Sequence, residues 1–180
     1  MKYIWTYKTN DNFTNIKMSS DGEVLTGLWF LNSYDDNTEH FGDFKKEMLP
    51  IFKETIRWLD NYFTGKEPNF TPKYRIENST NFRDLVIDEM LKIPYGKTVT
   101  YKEIADNIAN KNRLKKMSSQ AVGWAVGWNP ICLIILWHRV VGTNGSLIGY
   151  GGGINNKVSL LKLEGNDMNR FIIPTKGTKL

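Results

Sequence analysis

Apolar and polar residues alternate in two stretches near the start of the chain. MKYIWTYKT (1–9) and NIKMSSDGEVLTGLWFLNS (15–33) are rich in aromatic and β-branched residues and read as strands. Asp21-Gly22 marks a hairpin turn inside the second stretch. The period then lengthens. Residues 43–63 place Met48, Phe52, Ile56, Leu59 and Phe63 at helical spacing, with the helix starting near Pro50. GKEPNFTPKYRIENST (65–80) carries Gly65, Pro68 and Pro72 and reads as a linker or loosely packed connector.

From Thr80 onward helices dominate. Phe82, Leu85, Val86, Met90 and Ile93 share one helical face, behind an N-cap at Ser79 or Thr80, and Pro94-Tyr95-Gly96 ends that helix. Thr100 followed by Glu103 has the pattern of a capping box. A basic loop, KNRLKK (111–116), leads to SSQAVGWAVGW (118–128), in which AVGW occurs twice. Two short helices with a short connection outline a helix-turn-helix. Asn129-Pro130 stops the second helix, and ICLIIL (131–136) reads as a buried strand or extended segment. Asn144-Gly145 is a tight turn, four glycines surround Tyr150, and NNKVSLLKLEG (155–165) is a closing helix. The pattern predicts an α/β N-terminal domain over residues 1–77, with a small antiparallel sheet plus a helix. A mainly α, winged helix-turn-helix domain follows over 78–165. Residues 166–180 form a tail outside the core.

Composition narrows the classes. The 180 residues are 41% hydrophobic and 24% charged, as in globular proteins. One cysteine, Cys132, excludes an internal disulfide framework and a Cys-rich zinc site. His40 and His138 are the only histidines, which leaves little for a His-based metal centre. The longest uncharged apolar run contains Gly, Asn and Pro and makes a poor membrane span, and MKYIWTYKTN lacks a secretory apolar region. A cytoplasmic protein with no membrane partner is the expectation. The net charge of +5 is uneven: residues 1–77 hold 10 basic and 12 acidic side chains, residues 78–180 hold 14 and 7. A basic second half suits a polyanion, and equally a solvated Lys-rich surface.

The ordered set IPYGKTVTYKEIA, SSQAVGWAVGWNP, LWHRVVG and GYGGG, the last followed by a Lys, a Leu pair and a Glu, resembles the O6-alkylguanine-DNA alkyltransferase family. LTGLWF and WLDNYFTGKEPNF resemble its N-terminal domain, so the likeness covers nearly the whole chain. It implies a helix-turn-helix that enters the minor groove of double-stranded DNA and an alkylated guanine that is flipped out. A cysteine in Pro-Cys-His-Arg-Val then takes the alkyl group. A neighbouring histidine, acting through water and oriented by a buried glutamate, makes the required thiolate. The resemblance implies neither zinc nor a cofactor.

Here that motif reads Leu136-Trp137-His138-Arg139-Val140, and the nucleophile position is Trp137. Indole has no ionisable thiol, so ordinary alkyl transfer at this position is excluded. The pattern resembles alkyltransferase-like proteins, which carry Trp there, bind alkylated guanine without repairing it, and pass it to nucleotide excision repair. Those proteins usually lack the N-terminal domain that this chain keeps.

The resemblance assigns His138 and Glu164 as a remnant catalytic pair. Trp137, Tyr150, Asn129, Gly152 and Gly153 become a lesion pocket. Tyr101 and Gln120 assist base extrusion, with Gln120 replacing the family's arginine finger. Ala121 and Gly123 allow close approach to the groove floor, Lys115 and Lys116 hold phosphates, and Arg139 joins the DNA-binding set although it is mainly structural in the family. Each has a plainer reading: Trp137 as a core aromatic, His138 as a structural hydrogen-bonder, Asn129 as a turn former, the small residues as helix packing. Two alternatives stay open. One is a methyltransferase, through Cys132; the other is a DNA-binding module with no lesion preference.

Overall fold

A computed structural model of the chain describes residues 1–34 and 43–174. His40 lies outside them. The N-terminal domain is a four-stranded sheet in the order β3-β2-β1-β4, made of β1 (Lys2–Tyr7), β2 (Ile16–Ser20), β3 (Leu25–Phe30) and β4 (Phe44–Lys46). The turn at Asp21-Gly22 joins β2 to β3 as an antiparallel pair, and Gly22 takes φ +113°. The sheet is mixed rather than antiparallel, because β4 runs parallel to β1, with Lys2 opposite Phe44. Residues 31–43 separate β3 from β4, and parallel pairing needs a connection longer than a hairpin.

Helix α1 (Pro50–Tyr62) opens with proline at its first position, where the missing N–H costs nothing. Its buried face is Ile51, Phe52, Thr55, Trp58, Leu59 and Tyr62, a broader stripe than the spacing of Phe52 and Leu59 alone predicts. The supposed linker is not loose. Tyr74 bridges Leu25, and the Leu25 backbone bonds both Lys73 and Arg75.

The second domain packs α2 (Asn81–Met90), α3 (Tyr101–Lys111), α4 (Ser119–Gly127) and α5 (Ile154–Leu163) around a two-stranded parallel sheet, β5 (Val99–Thr100) with β6 (Val140–Val141). Thr80 caps α2, although Leu85 faces solvent. On α3 the capping box forms: Thr100 Oγ1 accepts from the Glu103 N–H at 3.1 Å, and the Glu103 carboxylate accepts from the Thr100 N–H at 2.6 Å. Ser118 caps α4.

ICLIIL is buried but is not a regular strand. Leu133 takes φ +69°, folding the run back so that the Ile135 N–H reaches the Ile131 carbonyl at 3.0 Å. Its first residues bond β3 through Leu28, which joins the two domains. One core runs through both, from Ile16 and Phe30 to Val86, Val126, Trp137 and Leu160. The tail is part of the packing as far as Ile172. Met168 and Phe171 pack on Val141, Leu147 and Leu161, and the Ile172 backbone pairs with Gly145 and Leu147. No helix among the described residues is long and apolar enough to cross a membrane.

Candidate DNA-lesion site

The motif Trp137-His138-Arg139 forms a single 3-10 turn whose three side chains are all buried. Below it lies one carboxylate, Glu164, just past the end of α5. Glu164 Oε1 accepts from the Tyr62 hydroxyl at 2.7 Å and from His138 Nε2 at 2.8 Å. Arg139 donates to both Glu164 oxygens, at 2.9–3.1 Å, and to the Ile93 carbonyl at 2.8 Å. The Gly96 N–H adds a contact at 3.3 Å. Burial opposes charge on Glu164, but the donors His138 and Arg139 outweigh it and hold the carboxyl down to about 2. Burial holds His138 below the usual imidazole range, against the pull of Glu164. In the neutral ring, the Glu164 carboxylate beside Nε2 favours the tautomer that carries its proton there. The buried Nδ1 has no hydrogen-bond partner among the described residues.

Arg139 is 3% exposed and fully committed to Glu164 and Ile93, which takes it out of the DNA-contacting set. Sequence reasoning missed Tyr62, because in α1 it reads only as another apolar helix position.

Trp137 is 4% exposed and lies on the floor of a cleft of about 530 Å³. Its indole N–H donates to the Tyr101 hydroxyl at 3.3 Å, and its ring meets Tyr150 edge-on, with centroids 5.1 Å apart. Tyr101 donates in turn to the Ile148 carbonyl at 3.4 Å. Tyr150, Gly149 and Gly151 line the same cleft, with Gly123 and Gly127 of α4. Tyr34, Arg83, Trp124 and Trp128 complete it, and none of these four was expected. The doubled AVGW was the available signal, since it sets two tryptophans four residues apart on a helix. Arg83 stacks on Trp128, 3.9 Å from the ring centroid.

Other expected pocket residues stand behind the lining. Asn129 is buried and braces the turn, donating to the Ile135 carbonyl at 2.9 Å and accepting from the Ile131 N–H at 3.0 Å. Gly152 packs so closely on Phe30 and Tyr150 that a Cβ there would lie 2.7 Å from both. Gly153 takes φ +89° and starts α5. They shape the loop that carries Tyr150 but do not border the cleft. Asn156 and Lys157 hold that loop from below. Asn156 clips Gly152 to Thr14, and Lys157 donates to the Val140 carbonyl at 2.6 Å. Burial brings the Lys157 amine down to about 7.

A second cleft of about 440 Å³ lies across α4, bordered by Tyr101, Lys102, Gln120, Gly123, Trp124, Thr143 and Ile148. Gln120, Lys115 and Lys116 are exposed, and Ala121 is half-buried. Cys132 is 1% exposed, in the core beside β3, and borders neither cleft. No cluster of three or more His, Cys, Asp or Glu able to hold a metal occurs among the described residues.

The ribonuclease-like domain of 6-O-methylguanine DNA methyltransferase matches residues 3–74, and the DNA binding domain of the same family matches residues 81–166. A methylated-DNA–protein-cysteine methyltransferase of Mycobacterium tuberculosis is 37% identical over 160 residues, covering 88% of this chain and 91% of that protein. One from Methanosarcina acetivorans is 45% identical over 116 residues, 64% of this chain and 70% of that protein. The crystal structure of Mycobacterium tuberculosis OGT in complex with DNA superimposes with a TM-score of 0.75 at 34% identity, covering 94% of each chain. The chain therefore belongs to the 6-O-methylguanine DNA methyltransferase family.

Proposed function

We propose that this protein binds O6-alkylguanine in double-stranded DNA without removing the alkyl group, and so marks the lesion for repair. One arrangement carries this reading. Trp137 occupies the alkyl-acceptor position on the floor of an open cleft, while the chain's one cysteine is buried elsewhere. A buried thiol outside the cleft has no route to a methyl group on a base held within it. The cleft volume falls within the ~300–1,000 Å³ usual for ligand pockets, so Trp137 leaves room for a base.

In this reading α3 and α4 act as the helix-turn-helix, with residues 142–149 as its wing. The Mycobacterium tuberculosis relative solved with DNA supports DNA as the partner. Ala121 and Gly123 bring α4 near the groove floor, and Lys115 and Lys116 hold phosphates. Tyr101 and Gln120 assist eversion of the guanine into the cleft between Tyr150, Trp137 and the backbone around Gly149 and Gly151. The base then rests on aromatic rings rather than against a thiolate. Downstream partners are nucleotide excision repair proteins.

Intact-mass spectrometry after incubation with O6-methylguanine duplex tests the absence of transfer. An unchanged protein mass together with tighter binding of the methylated duplex fits the reading, and a gain of one methyl group on the wild-type chain defeats it.

A further inference from the structure

Trp124 is 76% exposed, whereas Trp128, four residues on, is half-buried beneath Arg83. It borders both clefts, and so stands on the divide between the Trp137 side and the Gln120 side of α4. Trp124 lies one turn beyond Gln120 on the same helical face. Small residues flank it, with Ala121, Gly123 and Gly127 in the same helix, so Gln120 and Trp124 are the large exposed side chains that α4 presents. The exposed cations Lys115 and Lys116 lie in the loop just before. The floor of the first cleft is already supplied by Trp137 and Tyr150. An exposed indole on a divide, among small residues, has the chemistry of an apolar wedge. Such wedges enter base steps from the minor groove, and an aromatic face stacks on any base.

We infer that Trp124 enters the base stack at the place vacated by the everted guanine, with Gln120 hydrogen-bonding the orphaned cytosine beside it. The inference rests on the DNA-binding reading of α4. It supplies what the uncharged, shorter Gln120 lacks, a large surface to fill the gap. Eversion leaves two unstacked faces, and the indole covers them.

The test compares wild type, Trp124→Ala and Trp124→Phe by fluorescence anisotropy at one salt concentration. Three duplexes are used: undamaged, O6-methylguanine opposite cytosine, and an abasic site opposite cytosine. A wedge is expected to make Trp124→Ala about tenfold weaker on the abasic duplex, with Trp124→Phe within about threefold of wild type. A Trp124 that only walls the cleft leaves abasic binding unchanged, since that duplex offers no base to hold. Equal abasic affinity for wild type and Trp124→Ala overturns the inference, even where preference for the methylated duplex persists. Failure of the wild-type protein to bind any of the duplexes overturns the DNA-binding reading and the wedge with it. Because Trp124 is exposed, matched unfolding curves are expected for the variants, and Trp124→Gln repeats the readout with a longer polar side chain.

Discussion

The indole N–H of Trp137 donates to the hydroxyl of Tyr101 across 3.3 Å. This bond ties the residue proposed to stand at the alkyl-acceptor position to the first residue of α3, and Tyr150 packs edge-on against the ring. Trp137 is thereby a set floor. Trp137→Phe removes the donor and part of the ring and is expected to lower stability by about 1–2 kcal/mol, read by denaturant unfolding. Trp137→Ala leaves a cavity and is expected to cost about 3–5 kcal/mol. A change within experimental error for both variants would show that the indole is not held as described.

Trp137→Cys places a thiol beside His138, whose Nδ1 has no hydrogen-bond partner among the described residues and whose Nε2 lies against Glu164. That nitrogen can take the thiol proton, through water as in the family's mechanism. The thiolate then attacks the methyl carbon, the carbon–sulfur bond forms as the bond to O6 breaks, and the guanine regains a proton on its ring nitrogen. Intact mass after incubation with methylated duplex is expected to rise by one methyl group for this variant alone. No gain would mean that the remnant machinery does not align with the cleft.

The Glu164 cluster sets an acid limit. Its folded-state pKa lies at about 2, below the ordinary value of about 4.3 in an unfolded chain. The unfolded state therefore binds the proton first as pH falls. The stabilisation is fully present above pH ~4.3 and is lost as pH drops toward 2. Between those limits wild type should lose stability relative to Glu164→Gln, measured by thermal unfolding at matched ionic strength. Parallel pH curves would contradict the assignment.

Much of the fold was legible in the sequence because its signals are local. Thr100 and Glu103 announce α3, Pro50 announces α1, and Asp21-Gly22 announces the β2–β3 hairpin. What was not legible depends on distant partners. β4 is three exposed residues, with no apolar alternation to betray its parallel pairing with β1. Tyr74 and Ile172 join other segments through backbone bonds, which leave no mark on side-chain pattern. At the site, the motif located Trp137, His138 and Glu164, and the structure brings them together. The same motif could not say that Arg139 turns inward or that Tyr62 arrives from the other domain to bond Glu164. The resemblance made Gly152 and Asn129 pocket residues, yet their contacts run backward into the core.

Lys157 offers a check on how tightly the Tyr150 loop is closed. Burial lowers its amine to about 7, whereas an unfolded lysine titrates near ~10.4. Between these values the unfolded state binds more protons, so stability rises with pH. Wild type should gain stability relative to Lys157→Met from pH 7 toward pH ~10. A constant difference over that window would mean that the amine is hydrated in solution.

The most direct measurement is fluorescence-anisotropy binding of the wild-type protein to two matched duplexes, one with guanine and one with O6-methylguanine at a single site, at fixed salt. Salt is fixed because phosphate contacts dominate raw affinity. A lesion-reading cleft floored by Trp137 predicts clearly tighter binding of the methylated duplex, with the protein mass unchanged afterwards. Equal affinity for the two duplexes would contradict it, leaving Trp137 as a plug in a DNA-binding surface that does not read the base.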